Sequence, residues 1–212
     1  MAFDKNFKEA ISRLPAKEKD KLIFRLLKRD LDLANRLYFD LVSGDTQEDR
    51  RKQAKKDIER EINMAKNGSF YYFTPGVLMM SMRNTSGIIS EHVKTTKDKY
   101  GEVALSIFAL KEFLQIYSDN FKNSSAEKSY TFNIYLVART FKIMILLKKL
   151  HEDYILDFSD DLEKTALLFD EIPNLMKVAT HNGFDINWLI QSNIPDNIAQ
   201  IEKDLRQRGY LR

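Results

Sequence analysis

The stretch Tyr130-Thr131-Phe132-Asn133-Ile134-Tyr135-Leu136-Val137-Ala138-Arg139-Thr140-Phe141-Lys142-Ile143-Met144-Ile145-Leu146-Leu147 decides the fold. It is apolar nearly all round a helical wheel, and it lacks the strict alternation of a half-exposed strand. It therefore reads as a central helix wrapped by others. Arg139, Lys142, Asn133 and two threonines interrupt it, so it reads as a core helix rather than a membrane span. Ile134, Val137, Phe141, Ile145 and Leu146 are the expected core positions.

Working outward, Ser124 and Glu127 have the spacing of a capping box that opens this helix, which is expected to reach about Tyr154. Upstream, Thr74-Pro75 supplies an N-cap and first-turn proline for a helix to about Thr95, with a candidate break at Asn84-Thr85-Ser86-Gly87. Another helix is expected from Gly101 to Asn123. Downstream, Asp160 and Glu163 open a helix that ends at Asn182-Gly183, with Pro173 expected to kink it. Two short helices, near 185–192 and 195–208, follow.

Before residue 68 the style changes. Asp4 caps a first helix with Phe7, Ala10, Ile11 and Leu14 on one face. Pro15 stops it and starts a second, to about Arg29, expected to bury Leu22, Ile23, Leu26 and Leu27. A third runs from Leu31 to Leu41, and Gly44 stops it. A fourth, begun by Asp45, Thr46 and Glu48, is strongly charged. It keeps a narrow apolar stripe of Ala54, Ile58, Ile62 and Ala65, with Glu48–Lys52 and Lys55–Glu59 as opposite-charge pairs. Gly68 is its expected end.

The sum is an all-α protein of about nine helices. A shorter charged helical section, 1–67, precedes a main bundle, 68–212, of long antiparallel helices, with a helical-repeat solenoid as the alternative. Composition agrees. With only 7 Gly and 4 Pro in 212 residues there are too few turn formers for a β-rich domain, while 43% hydrophobic residues suffice for a core. The absence of Cys excludes disulfides, thiolate nucleophiles and Cys-based metal sites. The N-terminus has no apolar signal region, and a cytoplasmic location is expected.

Charge is unevenly placed. Lys5–Arg36 carries 10 Lys/Arg against 5 Asp/Glu, a net of +5, and Glu152–Asp185 carries 2 against 9, a net of −7. Either the two segments face each other, in the fold or across an oligomer contact, or the first meets an anionic partner. Lys17, Lys21, Arg25 and Lys28 fall on one face of the second helix and could bind phosphates; Glu18 edges that face, and no aromatic is expected within it. An ordinary solvated face is the competing reading. Residues 10–27 resemble the opening of the DNA-reading domain of bacterial sigma factors, but the Gly turn and recognition helix do not follow, so no family is assigned.

The run Phe70-Tyr71-Tyr72-Phe73 is the strongest candidate for protein contact. Four consecutive rings cannot all face the core, and at least one of Tyr71 and Tyr72 is expected to be accessible. A lid over the core is the competing reading. His92, His151 and His181 lack metal-ligand spacing and are expected in surface or capping roles. Arg139 is expected to find a partner, either a carboxylate such as Glu112 or one beyond Glu152, or a bound anion, with the internal ion pair as the leading reading. Asp157, Asp160 and Glu163 have the spacing of a Mg²⁺ pair, without a matching pair on a facing helix. No catalytic residue, metal site or cofactor is assigned. The leading expectation is a non-enzymatic protein–protein interaction module, through an unknown partner or self-association. The alternatives are a nucleic-acid or anionic-surface binder using the basic N-terminal face, and a Mg²⁺-dependent all-α hydrolase.

Overall fold

A computed structural model describes residues 3–67, 73–190 and 193–212. Among them it contains twelve helices and no strand. These are α1 (Lys5–Arg13), α2 (Ala16–Leu27), α3 (Leu31–Leu41), α4 (Gln47–Asn67), α5 (Pro75–Thr96), α6 (Lys99–Phe121), α7 (Ala126–Leu147), α8 (Glu152–Leu156), α9 (Ser159–Asp170), α10 (Pro173–His181), α11 (Asn187–Ile190) and α12 (Ile198–Gln207). They pack against one another as a bundle rather than as a solenoid.

The apolar stretch that opened the sequence reading is the centre of that bundle. α7 meets α5, α6, α10 and α12. Phe132, Leu136, Val137, Phe141, Met144 and Leu147 are buried, as is Ile134, while Ile145 and Leu146 are half-buried. Each fully buried large side chain contributes about 1.5–3 kcal/mol of transfer free energy. α7 is long and apolar enough to span a membrane by length and composition, but 56% of its apolar window is buried inside the bundle. That arrangement is consistent with a soluble protein.

Several boundaries differ from expectation, each for a local reason. α5 runs unbroken through Asn84-Thr85-Ser86-Gly87. The hydroxyls of Thr85, Ser86 and Ser90 donate to carbonyls one turn back and so stay within the helix. α7 stops at Leu147, and a new helix, α8, begins with His151 as N-cap. Pro173 separates α9 from α10 instead of kinking one helix, because it occupies the first turn of α10 where its missing N–H costs nothing. Ser125 rather than Ser124 caps α7, and the Ser124 hydroxyl pairs with Ser129.

α4 begins with a reciprocal cap. Thr46 Oγ1 accepts from the Asp49 amide at 3.1 Å, and the Thr46 amide donates to Asp49 Oδ2 at 3.0 Å. Its apolar stripe, Ala54, Ile58, Ile62 and Ala65, is buried. Glu48–Lys52 forms as expected at 2.8 Å, but Lys55 lies over the Phe108 ring instead of pairing with Glu59. By composition α4 belongs to the charged N-terminal section. By packing it belongs to the bundle, against α5 and α6.

α1–α3 are different. None of their residues is buried. α3 lies on α5, and α2 touches α3. The burial expected for α2 is only partial: Leu22 and Leu27 are half-buried, whereas Ile23 is 49% and Leu26 52% exposed. These three helices form an arm on the outside of the bundle.

Candidate functional site

The arm is amphipathic at every step. α1 turns Phe7 and Ile11 outward, and the rings of Phe3 and Phe7 stack on each other at 5.4 Å. α2 carries Lys17, Lys21, Arg25 and Lys28, all exposed, on one face. Lys21 is tied to Glu18 at 3.2 Å, but both ends of this pair are well exposed, so it holds little energy. Phe24 corrects the reading of this face. It stands three residues after Lys21 and four before Lys28, and so lies within the basic stripe; it is 64% exposed. Leu31, Tyr38, Leu41 and Val42 extend the exposed apolar surface along α3. Among the described residues a single ion pair, Lys94–Asp32 at 2.9 Å, links α3 to α5, and it is open to water at both ends.

The acidic segment occupies α8 to α10 and their flanks. α9 opens with Asp160 and Asp161, acids that favour a helix N-terminus. Apolar side chains stand out among the acids: Leu156 is 77% and Leu167 59% exposed, and Tyr154 is about half exposed. Among the described residues no ion pair joins this segment to the arm; Asp161 instead binds Lys111 of α6. The two oppositely charged regions therefore do not neutralise each other by direct pairs within one chain.

Of the aromatic run, Phe70, Tyr71 and Tyr72 lie outside the described residues, as does Gly68. Phe73 is half-buried and rests on Phe121 at 5.2 Å against the core, which is the lid role for that ring.

The most connected polar cluster was not anticipated from sequence. Asp98, buried between α5 and α6, accepts from Arg51 Nε at 2.8 Å and from the Gly101 amide at 2.8 Å. Its Oδ2 also faces His92 Nε2 at 3.1 Å. His92 is thus a buried partner, not the surface or capping residue expected. Burial by itself raises the Asp98 carboxyl. Hydrogen bonds from Arg51, the Gly101 amide and His92, with the charge of Arg51, outweigh it and hold the group below the ordinary carboxylate value. Arg51 also lies over the Tyr100 ring at 4.9 Å. Both Asp98 oxygens are engaged inside the fold, and His92 is turned toward Asp98. The cluster ties α4, α5 and α6 together. Gly101 is required there, because a Cβ would overlap Asp98 Oδ2 and stand 2.8 Å from Arg51 Nε.

The other histidines fit expectation. His151 caps α8, accepting from the Asp153 amide, and His181 is exposed in the last turn of α10, edge-on to Tyr210. Asp157, Asp160 and Glu163 meet no facing acids: among the described residues no three His, Asp or Glu side chains could share a metal ion. Arg139 is also corrected. Its partner is not a carboxylate but Tyr135, one turn earlier, whose hydroxyl accepts from Nη2 at 2.6 Å.

No family model, no curated protein and no solved structure matches the chain. Functional argument therefore rests on surfaces alone. Two stand out: the basic amphipathic arm and the acidic segment with its exposed leucines.

Proposed function

We propose that this chain is a non-enzymatic helical interaction module that assembles with a second copy of itself, the arm α1–α3 of one copy seating on the α8–α10 surface of the other. The observation that carries the reading is the arm: three helices without a buried residue, showing Phe7, Ile23, Phe24 and Leu26 to solvent. Exposed apolar surface rimmed by charge is the usual mark of a docking face. Charge complementarity selects the occupant, since a net +5 over Lys5–Arg36 answers a net −7 over Glu152–Asp185. Leu156 and Leu167 supply apolar surface on the acidic side. Reciprocal exchange of arms closes a twofold dimer and leaves no open end.

Sedimentation velocity on the full chain tests this. A concentration-dependent dimer at low salt, weakened as salt is raised, is expected. Lys21→Glu with Lys28→Glu should dissociate it, and Asp153→Lys with Asp160→Lys in the same chain should restore it. A monomer at every concentration in low salt overturns the reading, as does a dimer indifferent to both charge reversals.

Phe24 favours a second reading. An exposed ring inside a basic stripe is the arrangement that stacks a base while lysines hold phosphates. Fluorescence anisotropy with labelled single-stranded RNA and DNA at two salt concentrations tests it. Salt-dependent binding lost in Phe24→Ala supports a nucleic-acid partner, and no binding at low salt removes it.

A further inference from the structure

We propose that the groove between α5, α7 and α12 binds a small phosphate ester, independently of the arm. α7 presents Tyr135, Arg139 and Lys142 at i, i+4 and i+7, which places all three on one helical face. α5 adds Arg83 from across the groove. Both guanidinium groups lie near one ring: Arg83 Cζ is 5.5 Å and Arg139 Cζ 4.9 Å from the Tyr135 centroid. The Tyr135 hydroxyl, which accepts from Arg139 Nη2, fixes the half-buried arginine in place.

What these three cations lack is an ion-pair partner. Among the described residues Arg83, Arg139 and Lys142 form no ion pair. The carboxylate that lines the groove, Glu202, is already held by Arg206, which also donates to the Leu211 carbonyl. Cation–π attraction holds the two guanidiniums near one ring, but it leaves their charge unneutralised. Fixed like charges that no carboxylate pairs raise the potential in a concave site and favour an anion there. Guanidinium forks suit phosphate oxygens in particular.

The groove is large for a bare anion. Its volume is about 510 Å³, within the range of small-ligand clefts, and Met79, Ile134 and Ile145 give it an apolar lining. The geometry points to a phosphate carried on a planar or apolar body, with the phosphate toward Arg83, Arg139 and Lys142. A nucleotide and a short-chain diacylglycerol phosphate share that chemistry.

Isothermal titration calorimetry of the full chain with ADP, dihexanoyl phosphatidic acid and inorganic pyrophosphate separates the sources. One of the two esters is expected to bind at least about tenfold more tightly than pyrophosphate, and the tighter ester names the body. The variant Arg83→Gln with Lys142→Gln removes two exposed cations without touching the core, and should weaken that ester by about tenfold or more. Lys122→Gln, exposed at the end of α6, should leave it unchanged. The inference is overturned if pyrophosphate binds as tightly as the tighter ester, if the double variant binds like the parent, or if no probe binds at about 1 mM, where a useful site would be half filled.

Discussion

The bundle α4–α12 and the arm α1–α3 are built from similar amphipathic helices, yet one has a core and the other has none. α4 shows why composition is a poor guide to the difference. It is the most charged of the long helices, but Ala54, Ile58, Ile62 and Ala65 fall in one narrow stripe and all four are buried, with Met64 alone of its apolar residues left exposed. α2 has a fuller apolar face, and its Ile23 and Leu26 stay about half exposed. Amphipathicity says that a helix has a face to bury. It does not say whether the covering surface lies in the same chain. In the bundle it does, and in the arm the covering surface is the one proposed to come from another copy.

The sharpest way to test this contrast is to remove a ring from each region. Phe141→Ala should lose about 3–5 kcal/mol in a denaturant titration, from transfer and cavity terms together. Phe24→Ala should change monomer stability by less than about 0.5 kcal/mol, as a surface substitution does. A loss of under about 1 kcal/mol at Phe141 would mean that α7 is peripheral. A loss of several kcal/mol at Phe24 would mean that the arm belongs to the core.

A smaller effect is expected at the polar cluster. Gly101→Ala places a methyl against Asp98 and Arg51 and should cost about 1–3 kcal/mol, as overpacking does. Thermal unfolding of the variant checks it, and an unchanged midpoint would show that Asp98 can move aside.

The same cluster makes the bundle acid-sensitive. The Asp98 carboxyl lies below its ordinary value in the folded state, near 3.9 when unfolded. Its contribution is therefore complete above about pH 4 and is lost as pH falls through the folded value. Asp98→Asn should be less stable than the parent at neutral pH, and the gap should narrow on acidification. Parallel stability curves between about pH 5 and 2 would exclude Asp98 as the source.

The mildest probe is proteolytic. Trypsin should cut the dilute monomer first between Lys17 and Arg29, because helices with little buried surface open at low cost. Conditions that favour the dimer should protect those sites. Early cleavage within α6 or α7 would reverse the ranking of the two regions.

Much of the fold was legible because it follows from periodicity. The run around Phe141 announces a central helix by having no wet face, and Thr74-Pro75 and Asn182-Gly183 mark their helix ends by their own chemistry. The functional surfaces were less legible because they depend on what lies across space. Arg139 was expected to need a carboxylate, and its partner is a tyrosine one turn away on its own helix. Arg83, 59 residues upstream of Lys142, shares its groove only because α5 packs on α7. His92 and Asp98 sit six residues apart across the end of a helix, a spacing with no sequence signature. Phe24 could have been found from the sequence: its offsets of three from Lys21 and four from Lys28 put it on the basic face by arithmetic alone.

The reciprocal cap at Thr46 and Asp49 has a consequence for how such a chain can change over generations. It satisfies the Thr46 and Asp49 amides from within four consecutive residues, so this cap borrows no hydrogen bond from α3. α3 adds to the bundle a half-buried face, the Phe39 ring beneath Arg50 and a solvated ion pair. A lineage could therefore lose residues 3–43, lengthen them or exchange them for another helical segment while keeping the same core, and acquire a different partner by doing so.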